Sequence, residues 1–541
     1  MKTNQEFTDS LKIALSFSGG GYRAASFHLG TLSYLSTIIT EQGTLLEAVV
    51  AMSTISGGSI TGLRYILGIA REEKNEKIFH AIYKFLTQTD LPAMALGKLS
   101  TYKTTKSCSL IRTMSEVYDK KLFNGATFGE LMEAEEKIHL LHFSANATDF
   151  TNGLQFRFQL SPKLKDPPKD TPEYGIIGNS KIPLDRRNAR YIHLSDILAT
   201  SSCFPSGFEP LMFPEDFILP ESVMQFFRES HDPFGLMDGG IVDNQGIQPL
   251  LLAEQRMKRD NPEQKGNCLN LIVVSDVASP YMESYKPISS VIPKSIGKQS
   301  IRKFFRTIYW IEGIFTFLFA ISVLYTGFTF LSGFLFAVWI LTSGITILSI
   351  FLRSKLLNLL KKSILKNSVN KILDLRIQDI IPLVANRIKS VLKLTSEVFM
   401  KHLRRMDYYT VYEDESWKSR RVMNAVYELR SGETWEGRHL PEYLKPSMDI
   451  QTNTTKAASM GTTLWFSEKE KEEGIPEALI ADGQYTTCWN LLELIRRLKN
   501  DPDQLTPQQK IILSCEEQLR KDWEKFQKDP LCRVHLVHIK D

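Results

Sequence analysis

The sequence predicts an α/β fold, a mainly parallel sheet flanked by helices, with an inserted two-helix transmembrane hairpin. Two observations carry that prediction. An apolar strand ending at Phe17 runs into Ser18-Gly19-Gly20-Gly21-Tyr22-Arg23, an amphipathic helix follows from Arg23 to about Ile39, and a second apolar strand ends just before Ser56. This order is a βαβ unit. Its crossover is right-handed almost without exception, so the glycine loop and the serine turn stand side by side at the carboxyl ends of neighbouring parallel strands. The second observation is that Gly313 to Leu352 holds no charged residue and is dense in Phe, Leu, Ile and Val. That length suits two helical crossings of about 20 residues each.

Three glycines in a row carry no Cβ, so the backbone turns sharply and presents successive N–H groups to a negative charge where a helix begins and its dipole favours an anion. The oxyanion of an acyl transfer needs such donors. Ser56, within Val49 to Gly62, sits in a turn like the G-x-S-x-G nucleophile elbow, which lifts a hydroxyl above the sheet through a strained strand-to-helix bend. Thr54 stands in the place of the first glycine and Gly58 supplies the second. Ser59 competes, with Gly57 two residues before it, but Thr61 breaks the other half of its pattern; the strand end favours Ser56. A dinucleotide fingerprint fits poorly, because Ala24 takes the final glycine's place and no acidic residue ends the second strand.

Asp238 closes the short apolar stretch Phe234-Gly235-Leu236-Met237, and Gly239 and Gly240 after it let backbone approach closely. A serine hydroxyl is inert until a base accepts its proton, and a carboxylate does so when desolvation raises its proton affinity. The rival base is a histidine, as in a Ser-His-Asp esterase of α/β-hydrolase type. His28 lies on the helix after the glycine loop and is expected to pack on the sheet; His535 and His538 lie in an apolar C-terminal strand that lacks the loop such a base requires.

Together, Gly-Gly-Gly-Tyr-Arg, Ser-Gly-Gly-Ser and Asp-Gly-Gly resemble a patatin-like phospholipase domain. The resemblance implies a three-layer α/β/α fold and a Ser-Asp dyad without histidine. It makes Ser56 the nucleophile and Asp238 the general base. The backbone around Gly19, Gly20, Gly21 and Tyr22 becomes the oxyanion hole, supported by Arg23, Gly57, Gly58, Gly239 and Gly240. No metal and no cofactor is implied. Weaker segments agree: Phe143 to Asp149 with Asn152-Gly153 is similar to a family strand, and Ala199 to Pro205 to a family helix start. Met460-Gly461-Thr462 with Leu479 to Gly483 is similar to the closing block. The similarity spans roughly residues 11 to 280 and 405 to 495. The implied activity is hydrolysis of phospholipid or lysophospholipid carboxylic esters through an acyl-enzyme. A catalytically silent scaffold or a membrane-permeabilising protein of the same fold is the alternative.

Hydrophobic residues make up 43% and charged residues 23% of the 541, ordinary values for a folded protein, and a net charge of +5 does not suggest nucleic acid. The six cysteines are scattered, without Cys-x-x-Cys or metal spacing, which fits a reducing compartment. Met1 to Ser10 is polar, so a signal-peptide apolar core is not expected there.

The expected organisation is a first catalytic part over 11–280, an insertion over 281–404 with the hairpin at about 308–352, a closing catalytic part over 405–495, and a C-terminal helix and strand over 496–541. Lys294, Lys298, Arg302, Lys303 and Arg306 precede the hairpin, and Arg353, Lys355, Lys361 and Lys362 follow it. The positive-inside tendency then places both flanks, and the catalytic domain, in the cytoplasm. Two spans also let the two catalytic parts meet on one side of the membrane. Glu312 falls at the edge of the first span and is expected to reach the interface. From Lys355 to Arg405, apolar residues at helical spacing (Ile372, Leu375, Ile380, Leu383, Ile388) predict helix, and Ser161 to Arg190 predicts a long loop. Pro507 to Gln527 reads as one helix and Cys532 to Ile539 as a strand. Membrane lipids are the expected substrate and anchor, with room for a homo-oligomer.

Overall fold

The computed structural model describes residues 10–99, 109–165, 173–205, 207–262, 266–278, 284–288, 298–327, 329–362, 373–431, 440–500 and 505–538. They fall into two compact units, one formed by residues up to 282 together with those from 395 onward, the other by 283–394.

The first unit is built on a ten-stranded mixed sheet. Its strands are β1 (Ile13–Phe17), β4 (Val49–Ile55), β5 (His142–Asp149), β6 (Leu154–Leu160), β7 (Ile177–Gly178), β8 (Pro183–Leu184), β9 (Leu211–Phe213), β10 (Phe234–Asp238), β11 (Leu271–Asp276) and β12 (Arg421–Ala425); β2 (Ile39–Thr40) and β3 (Gly43–Thr44) form a separate hairpin. The order β12-β11-β1-β4-β5 is parallel, and β5-β6-β7-β8 continues it antiparallel. Ile-Ala-Leu-Ser-Phe of β1 is buried along its whole length, as expected of a central parallel strand covered on both faces.

One detail of register positions everything that follows. β6 occupies one edge of β5 throughout, so β4 and β10 share the other. β4 pairs as far as Ile55 opposite Asn146, and antiparallel β10 begins its pairing next door, with Asp238 opposite Ala147. The two strands therefore run toward each other along β5. The residue after Ile55 is Ser56.

The helix after β1 spans Gly21–Leu35, starting at the glycine loop rather than after it and stopping short of Ile39, because Ile39–Thr40 pairs with Gly43–Thr44. It crosses helix Ile475–Leu498 at backbone distance: Gly30 lies on the carbonyl of Ile480, and Gly483 on that of Phe27. A methyl at either point would push the helices apart. This contact joins the closing part of the chain to the helix of the glycine loop.

Several boundaries differ from expectation. The expected loop over Ser161 to Arg190 contains β7, β8 and a short helix, Arg186–Ala189, with residues 166–172 outside the described set. Ala199 to Pro205 ends a helix, Leu194–Ser201, rather than starting one; the buried run Leu194 to Ser201 packs its side chains inward, and Pro205 follows where the helix has stopped. The C-terminal helix is two, Pro507–Ser514 and Glu516–Lys528, and the described part of the expected final strand is a turn with a 3-10 helix, Val534–Val537, Ile539 lying outside the described set. Val534 and Val537 are buried three apart, which suits a tight helical turn and not an alternating strand.

In the second unit, helices Ile301–Thr326 and Phe330–Lys362 pack against each other across a short turn at Gly327, whose φ is 64°. Ile301–Tyr325 and Phe330–Lys355 are long and apolar enough to cross a membrane. Their side chains are largely exposed, with Leu324 at 81% and Phe330 at 94%. The Glu312 carboxylate accepts the hydroxyl of Ser343 on the facing helix at 2.6 Å. Helix Ile377–Lys393 follows; of the residues that predicted it, Ile372 lies outside the described set.

Candidate active site

Ser56 follows β4 with φ 51° and ψ −119°, a conformation that a residue with a Cβ rarely adopts. Helix Gly57–Ala70 starts immediately after it. Such a bend survives only when its surroundings hold it in place, and here the hold is specific: the Ser56 N–H donates to Ser201 Oγ at 2.9 Å, and Ser201 Oγ in turn donates to the Asn146 carbonyl at 2.7 Å. Ser59, the competing serine, is buried and engaged, its Oγ 3.0 Å from Thr54 Oγ1 and 2.8 Å from Ser201 Oγ. Thr54 fits in place of the usual glycine because its methyl rests on the bare Cα of Gly62 one turn into the helix.

The glycine loop lies against this turn. A Cβ on Gly57 would strike the backbone of Gly21, so the first turns of helices Gly21–Leu35 and Gly57–Ala70 abut, and both positive dipole ends converge beside Ser56. Of the four residues expected as oxyanion donors, two are already committed. The Gly19 N–H donates to the Asn244 carbonyl at 3.1 Å, and the Tyr22 N–H to the Thr463 carbonyl at 2.8 Å. The reason is structural: these bonds clamp the loop at both ends. Between the clamps, the N–H groups of Gly20 and Gly21 have no partner among the described residues. Gly21 has φ 60°, and its missing Cβ leaves room for the Thr463 carbonyl.

Asp238 is 3% exposed and Ser56 8%. The Asp238 carboxylate takes the Gly240 N–H at 2.7 Å, and the Ser56 side chain lies near enough to favour its charged form. Burial raises its pKa to about 6, against the opposing pull of those two groups. A carboxylate whose affinity for a proton is raised, close to a serine held in a strained turn beside free amides, has the chemistry to accept that serine's proton. Gly239 permits the contact by letting the turn lie on the Asn146 carbonyl.

Arg23 points away from solvent. Its Nη1 donates to the Met460 carbonyl at 2.8 Å, its Nε is buried without a partner, and burial lowers its pKa to about 10. The histidines have other work. His28 stacks on Phe17 and donates from Nε2 to the Ser18 carbonyl at 3.0 Å, while Nδ1 faces Ser275 Oγ at 2.9 Å; burial lowers its pKa to about 4. It is therefore neutral and props the entry to the glycine loop. His535 and His538 contact the Cys532 carbonyl and the Tyr83 ring. No group of side chains suited to hold a metal occurs among the described residues.

Ser201, Asn146 and Asn244 were not singled out by sequence as parts of this site. Asn146 also donates to Ser53 Oγ and the Thr54 carbonyl, which locks β5 to the end of β4.

Residues 15–251 match the model of the family described as Patatin-like phospholipase. No curated protein matches the sequence. Among solved structures, human GIVD cytosolic phospholipase A2 aligns at 13% identity and a TM-score of 0.30, covering 51% of this chain and 46% of its own. The same human enzyme in complex with methyl gamma-linolenyl fluorophosphonate aligns at 15% identity and 0.27, covering 50% and 41%. The chain thus spans less than half the length of these structures.

Proposed function

We propose, from the premise that this chain carries a patatin-like phospholipase domain, that it is a serine lipid acyl hydrolase acting on carboxylic esters of phospholipids or lysophospholipids. The observation that carries the reading is the meeting of β4 and β10 along β5, which sets Ser56 beside a buried, proton-hungry Asp238. Ser56 Oγ attacks the acyl carbonyl and passes its proton to Asp238. The carbonyl oxygen becomes an oxyanion held by the Gly20 and Gly21 amides and two helix dipoles. On collapse the alcohol leaves with the proton from Asp238, and the acyl group stays on Ser56. Water then gives its proton to Asp238 and its oxygen to the acyl carbon, releasing the fatty acid and restoring the serine.

The second part of the proposal is that the exposed apolar helices anchor the enzyme in a membrane as an in-and-out hairpin, with the catalytic unit in the cytoplasm. Basic residues on both flanks support it. An anchored enzyme meets its substrate by diffusion in two dimensions. The deciding experiment is product analysis of the purified full chain on a mixed panel of phospholipids, lysophospholipids and neutral lipids, with Ser56→Ala beside it. Release of fatty acid that Ser56→Ala lacks supports the reading; a folded protein that cleaves no lipid ester makes it a silent scaffold. Cysteines placed near Arg302 or Arg353 that react from outside intact cells would overturn the orientation.

A further inference from the structure

A second concave site lies in the first unit, away from Ser56. It is a cavity of about 170 Å³ where the start of β5, the end of β6 and helix Ile247–Asp260 meet, and no residue of the glycine loop, the serine turn or the Asp238 turn lines it. Its apolar lining includes Met52, Phe143, Leu160 and Leu250, and its polar lining is Arg157, Arg256, Arg259 and His142 together with the neutral Ser144, Gln159, Ser161 and Gln255. No aspartate or glutamate lines it. Three of its nitrogens are buried and lack a partner: Arg157 Nε, Arg256 Nε and His142 Nε2. The rest of those side chains is anchored, with Arg157 Nη1 on Gln155 Oε1, Arg256 Nη2 on the carbonyls of Pro162 and Glu173, and His142 Nδ1 facing Ser161 Oγ. Among the described residues, none of the three guanidiniums is paired with a carboxylate.

Buried donors without acceptors are costly, and here three belong to cationic or imidazole side chains that line one cavity free of carboxylates. Two guanidiniums fit the oxygens of a carboxylate or phosphate, and the neutral imidazole, only 6% exposed, adds a third donor in its Nε2–H tautomer. The apolar lining is unsuited to a bare, fully hydrated ion. We propose that this cavity is a binding site for the head of a small anionic amphiphile, a carboxylate or phosphate carried on an apolar stem. The volume accommodates the head and the first few carbons, and the stem continues toward the open side. The site stands independently of the hydrolase reading, since none of its residues takes part in that chemistry.

Calorimetry on the full chain in neutral detergent tests it with hexanoate, hexyl phosphate, inorganic phosphate and hexanol. Saturable one-to-one binding of hexanoate or hexyl phosphate, with hexanol silent, is the expected result, and the tighter of the two identifies the head. Arg157→Gln and Arg256→Gln should each weaken it about tenfold or more, because each removes a charge-assisted bond. Arg187→Gln, at an exposed arginine elsewhere, should leave it unchanged. Arg256 lies on a helix at the rim and is only partly buried, so its variant keeps the test open should Arg157→Gln misfold. Binding of hexanol as tight as hexanoate, full affinity in folded Arg256→Gln, or no saturable binding at all overturns the proposal. Inorganic phosphate as tight as hexyl phosphate overturns the apolar stem.

Discussion

The catalytic unit and the helical hairpin solve opposite solvent problems. Around Ser56 the protein buries polar groups: Ser53, Thr54, Ser59, Asn146, Ser201 and Asp238 are all removed from water and bonded to one another or to backbone. Along the hairpin it does the reverse, exposing Leu324, Tyr325, Phe330 and many more apolar side chains while folding Glu312 and Ser343 together between the helices. A buried polar network fixes geometry because each missing bond is expensive. An exposed apolar surface fixes only the kind of surroundings the helices need. Precision in this molecule therefore resides beside Ser56, and substitutions there should cost far more than their size suggests.

The largest effect expected at the edge of that network belongs to Asp238. Asp238→Asn should lower kcat/KM by about 10² to 10⁴, the usual worth of a general base. The wild type adds a pH signature: only the ionised carboxylate accepts a proton, so activity should fall as pH drops through about 6 and level off above it. A flat profile across that range, or an active Asp238→Asn, would move the base elsewhere. Gly21→Ala comes next. It sets a Cβ on the Thr463 carbonyl at φ 60° and disturbs one of the two free amides, so turnover should fall about 10² to 10³-fold while vesicle binding stays close to wild type. Equal losses of binding and turnover would mean that the loop serves packing alone.

The smallest effect concerns strain. Ser56→Gly relaxes a positive φ, so in chemical unfolding it should be about 1 kcal/mol more stable than Ser56→Ala, though equally inactive. A glycine variant no more stable than the alanine one would show that the turn stores no strain.

The contrast between the two regions also explains what could be read from the chain. The βαβ unit, the glycine loop and the Asp-Gly-Gly turn announce themselves locally, because tight backbone geometry demands glycine at fixed spacing. The hairpin does so through an uncharged run. Ser201 left no such mark. It meets Ser56 across 145 positions, and its neighbours Thr200 and Ser202 differ from it only in where the helix points them. That Gly19 and Tyr22 spend their amides on Asn244 and Thr463 was equally hidden, since both acceptors are backbone carbonyls from distant segments. The last turn differs from the expected strand because a short apolar run reads alike as a buried strand or a helical turn, and only the burial of Val534 and Val537, three apart, marks the helix.

The central claim, that Ser56 is the nucleophile, is tested most directly by reacting the full-length protein with a fluorophosphonate probe and locating the adduct by mass spectrometry. The expected result is a single adduct on Ser56, absent from Ser56→Ala, retained in Ser59→Ala, and slowed in Asp238→Asn. An adduct on Ser59, or undiminished labelling of folded Ser56→Ala, would contradict it.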